Sequence, residues 1–576
     1  MASQMAAKEQ PAGPAKGVAV AGTTVNVDGA DFVELKEGTA TILFPAGGEV
    51  FYNPVQEFNR DLSIAVLNHF SAVWAEDQAA AAAKRRGRSG GHPGPGQAAA
   101  AAPAAEEATK ATKEGMTVLE ALSATGLRAV RYSNEIEGLG AVVANDMSAD
   151  AVEAIRRNVI YNKLDPAVDV RPNHADAISL MYEHRGRFDR FDVVDLDPYG
   201  SAGPFLDSAV QAVGDGGLLC VTCTDMAVLA GSHGEACFAK YGAMSLRSAH
   251  CKEMAVRIIL HSIASAGARF KRYIVPVMST SIDFYCRVFV RVYTSASEVK
   301  RAAAKTAMVY NCTGCHAFHV QRLGRVEVDG SSTKYKPAIG PPVGPKCPEC
   351  GGSFHVGGPL WAEPIHDRQF VEAVLDGVRA SPGKYGTEQR LIGFLSVIAE
   401  ELEDHPLYYT APSLSGRAHC ITPSLLEIRS GLLNAGYQVS SSHADKDALK
   451  TDAGPAAVWD MMRAWIKLHP VKKKVVAGSP AARLIAGDPK VPHSFDRHPD
   501  ANPKSRAAGI SRFQQNPLPN WGPKARARKR KPAAEAPEGL TKAAADAAPS
   551  DPKKVKVAED ESGATKEPTD REEEHS

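Results

Sequence analysis

The chain contains the stretch Phe191-Asp192-Val193-Val194-Asp195-Leu196-Asp197-Pro198-Tyr199-Gly200, in which an apolar run meets a turn. The run predicts a buried strand, and the Asp, Pro and Gly that follow favour a turn. A carboxylate, a proline carbonyl and an aromatic ring therefore leave the strand together. These groups suit chemistry on a flat amino group, whose proton a carboxylate can accept in the transition state. An ordinary β-turn after a strand is the alternative that this stretch alone leaves open.

Strands and helical patterns alternate on both sides of this stretch. The expected strands cover residues 116–121, 141–144, 168–170, 191–196, 217–222, 273–277 and 284–293. Such alternation implies an α/β fold with a doubly wound, largely parallel sheet, in which ligands bind at the carboxyl ends of the strands. The last two strands are joined by a short loop and must therefore run antiparallel.

The loop after the first of these strands, Leu122-Ser123-Ala124-Thr125-Gly126, is a candidate for ligand binding. Its single glycine makes a poor pyrophosphate cradle, so an adenosyl ligand without phosphate fits better. Asp146 lies twenty residues after Gly126, the spacing at which an acidic residue holds ribose hydroxyls. A sheet with these elements is what an S-adenosylmethionine-dependent amino-methyltransferase requires. Helix caps or surface turns are the alternatives for Asp146 and Asp176, as a solvated helix face is for Arg128.

Three sequence blocks in order carry a more specific resemblance. They are Phe51 to Asp61 (FYNPVQEFNRD), Ala121 to Arg128 (ALSATGLR) and Asp195 to Gly200 (DLDPYG). Together they resemble the tRNA (guanine-26-N2) dimethyltransferase family, with interruptions, from about Thr39 to about Pro523. The resemblance implies a Rossmann-like class I S-adenosylmethionine-dependent methyltransferase sheet and tRNA as the partner. It also implies mono- and dimethylation of the exocyclic N2 of guanine at tRNA position 26.

The resemblance also implies roles for individual residues. Asp197 would be the general base, the Pro198 carbonyl would hold a second N2 proton, and Phe51 and Tyr199 would bracket an extruded guanine. The implied methyl-donor contacts are Arg60, Arg128, Asp146, Asp176 and Ala177. Read from the residues alone, the Phe51 block is as compatible with a core-packing entry to the helix that follows it.

Four of the ten cysteines form two C-x-x-C units, Cys312/Cys315 and Cys347/Cys350, separated by thirty-one residues. This spacing predicts a closed four-thiolate zinc site with a structural role. Disulfides are the competing explanation, but no signal peptide opens the chain, and a reducing compartment disfavours them. Nearby histidines could substitute for one cysteine: His316, His319 and His355.

Composition divides the chain into segments. The first three expected segments are an N-terminal stretch (1–38), a block with reaction-centre residues (39–74) and a low-complexity insertion that is flexible or partly helical (75–114). The methyl-donor domain (115–300) and the cysteine-rich zinc segment (301–360) follow. The last two are a smaller carboxyl-terminal α/β domain that the resemblance assigns to tRNA binding (361–495) and a mostly disordered tail (496–576). His419, Arg429, His443 and Lys450 are the candidates for RNA contact in the carboxyl-terminal domain, although plain surface or core positions suit each of them.

Charge is unevenly distributed along the 576 residues, whose net charge is only +1. Six Lys and Arg residues fall within 524–531, whereas Glu572, Glu573 and Glu574 end the tail. The basic cluster predicts nuclear entry or RNA-phosphate contact, with a solvated tail as the bland alternative and an organellar copy also open. No apolar stretch approaches the roughly 20 residues that cross a membrane.

Two further functions compete with the leading one. The first is an amino-methyltransferase acting on another base or nucleic acid, because Asp-Pro-aromatic turns suit exocyclic amines in general. The second is a non-catalytic RNA-binding protein held together by zinc. Failure to bind S-adenosylmethionine would favour the second.

Overall fold

The structure is a computed structural model that describes residues 23–46, 52–89 and 115–514. Phe51, residues 90–114 of the insertion, the basic cluster at 524–531 and the acidic end of the tail lie outside the described residues. The division of the chain into segments stays a prediction.

The N-terminal part forms a small antiparallel sheet and a long helix. The sheet contains β1 (Thr24–Val27), β2 (Ala30–Glu37) and β3 (Ala40–Pro45). Asn53 accepts a hydrogen bond from the Val55 N–H and so caps a short 3-10 turn that leads into α1 (Glu57–Ser89). α1 continues through residues 75–89, so the first part of the predicted insertion is helical. The helix packs against one face of the central sheet.

A seven-stranded sheet forms the centre of the molecule. Its strands are β4 (Met116–Glu120), β5 (Leu139–Asp146), β6 (Val170–His174), β7 (Phe191–Leu196), β8 (Val213–Cys223), β9 (Arg272–Ile282) and β10 (Tyr285–Thr294). Their spatial order is β6-β5-β4-β7-β8-β10-β9. The first five strands are parallel neighbours, and β10 pairs antiparallel with both β8 and β9. The predicted doubly wound sheet with an antiparallel closing pair is confirmed.

Helices cover both faces of this sheet. They are α2 (Leu127–Glu135), α3 (Ala149–Tyr161), α4 (Ala177–Glu183), α5 (Leu206–Ala212), α6 (Met226–Leu229), α7 (Gly234–Tyr241) and α8 (Cys251–Ala268). α1, α2 and α3 share one apolar core with the sheet, while α4, α5 and α8 share the other. The strand order reverses between β4 and β7, so the carboxyl ends of these two strands form the crevice in which such folds bind ligands.

The cysteine-rich segment is built from short antiparallel strands. They are β11 (Thr306–Cys312), β12 (Phe318–Arg322), β13 (Gly324–Asp329), β14 (Ser332–Pro337) and β15 (Phe354–Trp361). β11 lies between β12 and β15, and β13 and β14 form a separate hairpin. The sequence showed little apolar periodicity here, and the strands are accordingly short.

The carboxyl-terminal part combines a three-stranded sheet with helices. The helices are α9 (Arg368–Arg379), α10 (Glu388–Ala399), α11 (Ala411–Ala418), α12 (Leu425–Asn434), α13 (Pro455–Leu468), α14 (Pro480–Ala486) and α15 (Lys504–Ala507). The strands are β16 (Tyr409–Thr410), β17 (Val439–Ser442) and β18 (Asp445–Thr451). Ser424 and Glu427 form the capping box that starts α12.

The bounds of the third strand of the central sheet differ from those expected, because the local sequence pattern there is weak. The third strand of the sheet was expected at 168–170 but covers Val170–His174. No helix within the described ranges is long and apolar enough to span a bilayer.

Candidate active site

Asp195, near the end of β7, is a fully buried carboxylate. Arg287 donates two hydrogen bonds to it, of 2.7 and 2.9 Å, and the Tyr132 hydroxyl donates a third of 2.6 Å. Burial opposes ionisation, but the guanidinium groups of Arg287 and Arg128 lower the pKa of Asp195 overall. Asp195 therefore anchors the end of β7 to α2 and β10.

Asp197 lies two residues further along and has a different environment. Its side chain is 28% exposed and forms an ion pair with Arg128. Arg128 is itself buried. Its Nε lies 3.7 Å from Glu120 Oε1, and its Nη1 lies 3.8 Å from Asp195 Oδ2. Nη1 also donates a 3.2 Å hydrogen bond to the Ser63 hydroxyl. The alternative that Arg128 lies on a solvated helix face is therefore wrong. Arg128 holds one oxygen of the more accessible carboxylate in place.

The turn after Asp197 is fastened to the neighbouring strand. The Gly200 N–H donates to the Thr224 hydroxyl at 2.8 Å, and the Thr224 N–H donates to the Gly200 carbonyl at 2.8 Å. Gly200 has φ +82°, a conformation that favours glycine. Pro198 is buried, whereas the Tyr199 side chain is 56% exposed and presents its ring at the surface.

The loop between β4 and α2 is held by the residues at the ends of β5 and β6. Asp146 accepts the Ala124 N–H at 3.0 Å and the Ser148 N–H at 2.9 Å. The Asn145 side chain donates to the carbonyls of Ala121 and Ala175. A carboxylate has about four acceptor positions, so Asp146 keeps capacity for hydroxyl donors. The arrangement fits an adenosyl group lying across these loops.

Asp176 and Ala177 begin the helix after β6. Asp176 caps α4 by accepting the Ser179 N–H at 2.8 Å and the Ser179 hydroxyl at 2.9 Å. Ala177 is the buried first residue of that helix. The cap explains Asp176 structurally, and donor contact at both residues stays a prediction.

Arg60 of α1 lies in a buried charge network. Its guanidinium forms two hydrogen bonds of 2.5 Å with Glu37. Arg131 bonds to the same glutamate and also to Asp61 and Glu135. Although burial raises it, the pKa of Glu37 is lowered to about 2 by these two arginines. Arg60 thus already has a carboxylate partner, and its predicted donor contact stays a prediction.

A family model described as N2,N2-dimethylguanosine tRNA methyltransferase matches residues 29–463, which is most of the chain. The chain belongs to this family.

Relatives agree with the family over most of their length. A tRNA (guanine(26)-N(2))-dimethyltransferase of Mus musculus is 52% identical over 85% of this chain and 76% of its own. That of Homo sapiens is 50% identical over 85% of this chain and 77% of its own. A solved structure of Trm1 from Pyrococcus horikoshii with S-adenosyl-L-methionine is 28% identical, covers 74% of this chain and 99% of its own, and has a TM-score of 0.58.

Glu120 is a residue of this family member that the sequence reasoning missed. It ends β4, is buried, and accepts a 2.7 Å hydrogen bond from the Ser123 hydroxyl. Burial, with the nearby carboxylates of Asp195 and Asp197, raises the pKa of Glu120 to about 8 against the effect of Arg128. A charged residue inside an apolar run was the available signal for Glu120 and Asp195, because buried charges need partners.

The four predicted zinc ligands come together. Cys312 Sγ lies 3.4 Å from Cys350 Sγ, Cys315 Sγ lies 3.6 Å from Cys347 Sγ, and all four sulfurs lie within 4.8 Å of one another. A tetrahedral site with Zn–S bonds of about 2.3 Å has sulfurs about 3.8 Å apart, so the set fits zinc. The cysteines are not joined as disulfides. The four thiols suffice without a substituted histidine.

Glycines let the two C-x-x-C units close around this site. The Gly314 and Gly352 N–H groups each donate to a cysteine sulfur at 3.4 Å. A Cβ on Gly352 would lie 3.0 Å from Cys312 Sγ, and one on Gly314 would lie 2.7 Å from Cys350 Sγ. The four cysteines share an apolar core with the helices of the carboxyl-terminal part, so the zinc site links the two segments.

A second buried group contains His366, Glu401 and His443. His366 Nδ1 accepts the backbone N–H of Ser279 at 3.3 Å, and His443 Nε2 accepts that of Ser281 at 3.2 Å. Both N–H groups belong to β9. Each ring proton therefore lies on the nitrogen facing the group, and Lys450 bonds to Glu401 at 2.7 Å. The Glu401 carboxylate already accepts from Lys450, His443 and Ser442, so the group does not suit a further cation. His443 and Lys450 are both buried, as the core alternative had it.

Proposed function

We propose that the protein transfers methyl groups from S-adenosylmethionine to the exocyclic N2 of guanine 26 in tRNA, once to give the monomethyl and again to give the dimethyl product. The observation that carries the proposal is the Asp197-Pro198-Tyr199 turn, fastened beside the β4–α2 loop in a chain of this family. It presents a partly exposed carboxylate and an exposed aromatic ring at the carboxyl edge of the sheet.

The chemistry follows from what these groups can hold. Arg128 binds Asp197 Oδ2, which leaves Oδ1 to accept one N–H of the guanine amine. The Pro198 carbonyl would accept the other N–H, and the Tyr199 ring would stack on the extruded base. Asp146 would hold the ribose hydroxyls of the methyl donor. These contacts align the amine with the methyl carbon.

The proposed methyl transfer includes no step on a metal ion. S-adenosylmethionine supplies a methyl group already activated on a sulfonium. The N2 lone pair forms the new C–N bond while the C–S bond breaks, and the N2 proton passes to Asp197 and then to water. Asp195 and Arg287 keep the end of β7 in position throughout. The four-cysteine zinc site lies on other strands and has a structural role.

The test is nucleoside mass spectrometry of tRNA treated with purified protein and S-adenosylmethionine. We expect N2-methylguanosine and N2,N2-dimethylguanosine in a transcript with guanine at position 26, and neither in a matched transcript with adenine there. Asp197→Ala should abolish both products in single-turnover assays while calorimetry shows retained donor binding. Methylation at another base would favour the broader amino-methyltransferase, and absent donor binding by the wild type would favour a non-catalytic RNA-binding protein.

We also propose that the basic cluster at 524–531 directs the protein to the nucleus, since six cations fall within eight residues. Neutralising Lys529, Arg530 and Lys531 should move a fluorescent fusion out of the nucleus. Unchanged nuclear fluorescence, or fluorescence in an organelle, would contradict this assignment.

A further inference from the structure

Three arginines of the carboxyl-terminal part lie close together without an ion-pair partner among the described residues. Arg429 belongs to α12, Arg506 to α15, and Arg512 follows α15. Ser441 of β17 joins two of them. We call these four residues the arginine corner. None of them belongs to the strands or loops of the candidate active site.

The hydrogen bonds of the arginine corner are incomplete. Ser441 Oγ accepts from Arg429 Nη2 at 2.5 Å and from Arg512 Nη1 at 3.4 Å. Both lone pairs of the hydroxyl are then used, and its proton has no acceptor among the described residues. Arg429 is 2% exposed, and its Nε–H is buried without a partner. The Arg429 Nε–H and the Ser441 hydroxyl proton therefore both lack an acceptor among the described residues.

The charges of the arginine corner are only partly compensated. Burial, together with the charges of Arg512 and Arg506, lowers the pKa of Arg429 to about 10. Glu400 acts against this, so one carboxylate faces three guanidinium groups, and its two oxygens also accept the Ser505 N–H at 2.6 Å and the Ser505 hydroxyl at 2.8 Å. Positive charges held together in this way are stabilised by a bound anion.

The donor set identifies the anion by its chemistry. Guanidinium groups and a hydroxyl are the donors that bind phosphate oxygens with good geometry. Arg506 is exposed, so the arginine corner is open on that side. The chain continues from Arg512 towards six further cations at 524–531, which extends the positive charge along the sequence.

We propose that the arginine corner binds a backbone phosphate of the RNA substrate. This inference rests on the proposed function, because it takes the substrate to be an RNA. It assigns Arg506 and Arg512 to substrate affinity and gives them no part in methyl transfer.

The test uses the full-length protein with an Arg506→Gln/Arg512→Gln double substitution and Arg379→Gln as the matched control. Arg379 is an exposed arginine of α9 whose neighbour is Asp376 at 3.5 Å. We expect tRNA binding by the double variant to weaken about tenfold, and the slope of log K against log salt to fall by about 0.7–0.9 for each phosphate that is no longer bound. KM for tRNA should rise while kcat and S-adenosylmethionine affinity stay unchanged. The control should match the wild type.

Ser441→Ala separates hydrogen bonding from charge. It should weaken tRNA binding several-fold without changing the salt slope. An unchanged affinity and salt slope in the double variant would overturn the proposal. If the wild type methylates no tRNA, the proposed function fails first, whereas an active wild type with an unaffected double variant refutes the arginine corner alone.

Discussion

Replacing Asp195 and Asp197 separately by asparagine is expected to give two opposite phenotypes, although the residues are two positions apart. Asp195 accepts three hydrogen bonds of 2.6–2.9 Å, two of them from Arg287. Asparagine keeps one acceptor oxygen and turns an NH2 group towards these donors. The negative charge that faces Arg287 and Arg128 is also lost. Removing one partner of a buried ion pair costs about 3–5 kcal/mol.

Asp197→Asn should be far milder for stability. Its side chain is partly exposed, and the asparagine oxygen can still accept from Arg128. The cost is about 1 kcal/mol, the net value of an ordinary hydrogen bond. What asparagine cannot do is take up the N2 proton. The methyl-transfer rate should therefore fall about 10²–10⁴-fold, the usual contribution of a positioned general base.

The assays are urea unfolding, hydrogen exchange of the β7 and β10 amides, and single-turnover methylation. Asp195→Asn should lower the unfolding midpoint and increase exchange in these two strands. Asp197→Asn should leave both nearly unchanged, bind S-adenosylmethionine, and lose methyl transfer. A stable Asp195→Asn protein would refute the argument from the buried pair, and a wild-type rate in Asp197→Asn would refute the role of the carboxylate.

Three further predictions concern the zinc site, pH and the buried network. Elemental analysis of the purified protein should show about one zinc per chain. Cys347→Ser should lose the zinc and unfold at a lower temperature. Cys251→Ser, which changes a thiol outside the site, should retain the zinc. Because the pKa of Glu120 is raised to about 8, the folded protein keeps a proton that the unfolded chain loses near pH 4.5. Between pH 4.5 and pH 8 the free energy of unfolding of the wild type therefore falls as pH rises, by about 1.4 kcal/mol per pH unit. Thermal scans should show that Glu120→Gln gains stability relative to the wild type from pH 5 to 8. A difference between the two proteins that does not change with pH would contradict the raised pKa of Glu120. Arg131→Met should lower the free energy of unfolding by about 3–5 kcal/mol, because it breaks a buried ion pair with Asp61. The control Arg156→Met removes only an exposed ion pair of 3.8 Å with Glu153 and should lower it by less than about 1 kcal/mol in the same denaturation assay. Equal losses in the two variants would refute the role of burial.

The central fold was predictable because each of its elements has a local pattern. Short apolar runs separated by helical stretches predicted the strands of the sheet, and the Asp197 turn was visible as a motif after one of them. The two C-x-x-C units were equally local, and their cysteines lie at fixed positions in a short segment. Features of this kind need only neighbouring residues to be recognised.

The charge partners were not predictable because they join distant parts of the chain. Nothing near Arg60 in the sequence points to Glu37, and nothing near Asp195 points to Arg287. For Arg429 the sequence left RNA contact, a surface position and a core position open, and the structure buries it beside Ser441 and Arg512. A buried charge in an apolar run signals that a partner exists, but only the folded structure shows which residue it is.

Asp61 also receives both the N–H and the hydroxyl of Thr387, at 2.9 and 2.7 Å, from a position 326 residues later in the chain. At a synthesis rate of 5–20 residues per second, the ribosome needs about 16–65 s to travel from one partner to the other. During this interval the N-terminal helix has emerged with a carboxylate that lacks its final donors. The long helix can therefore complete its packing only late in translation, and a chain that stops before Thr387 would leave that carboxylate without both donors.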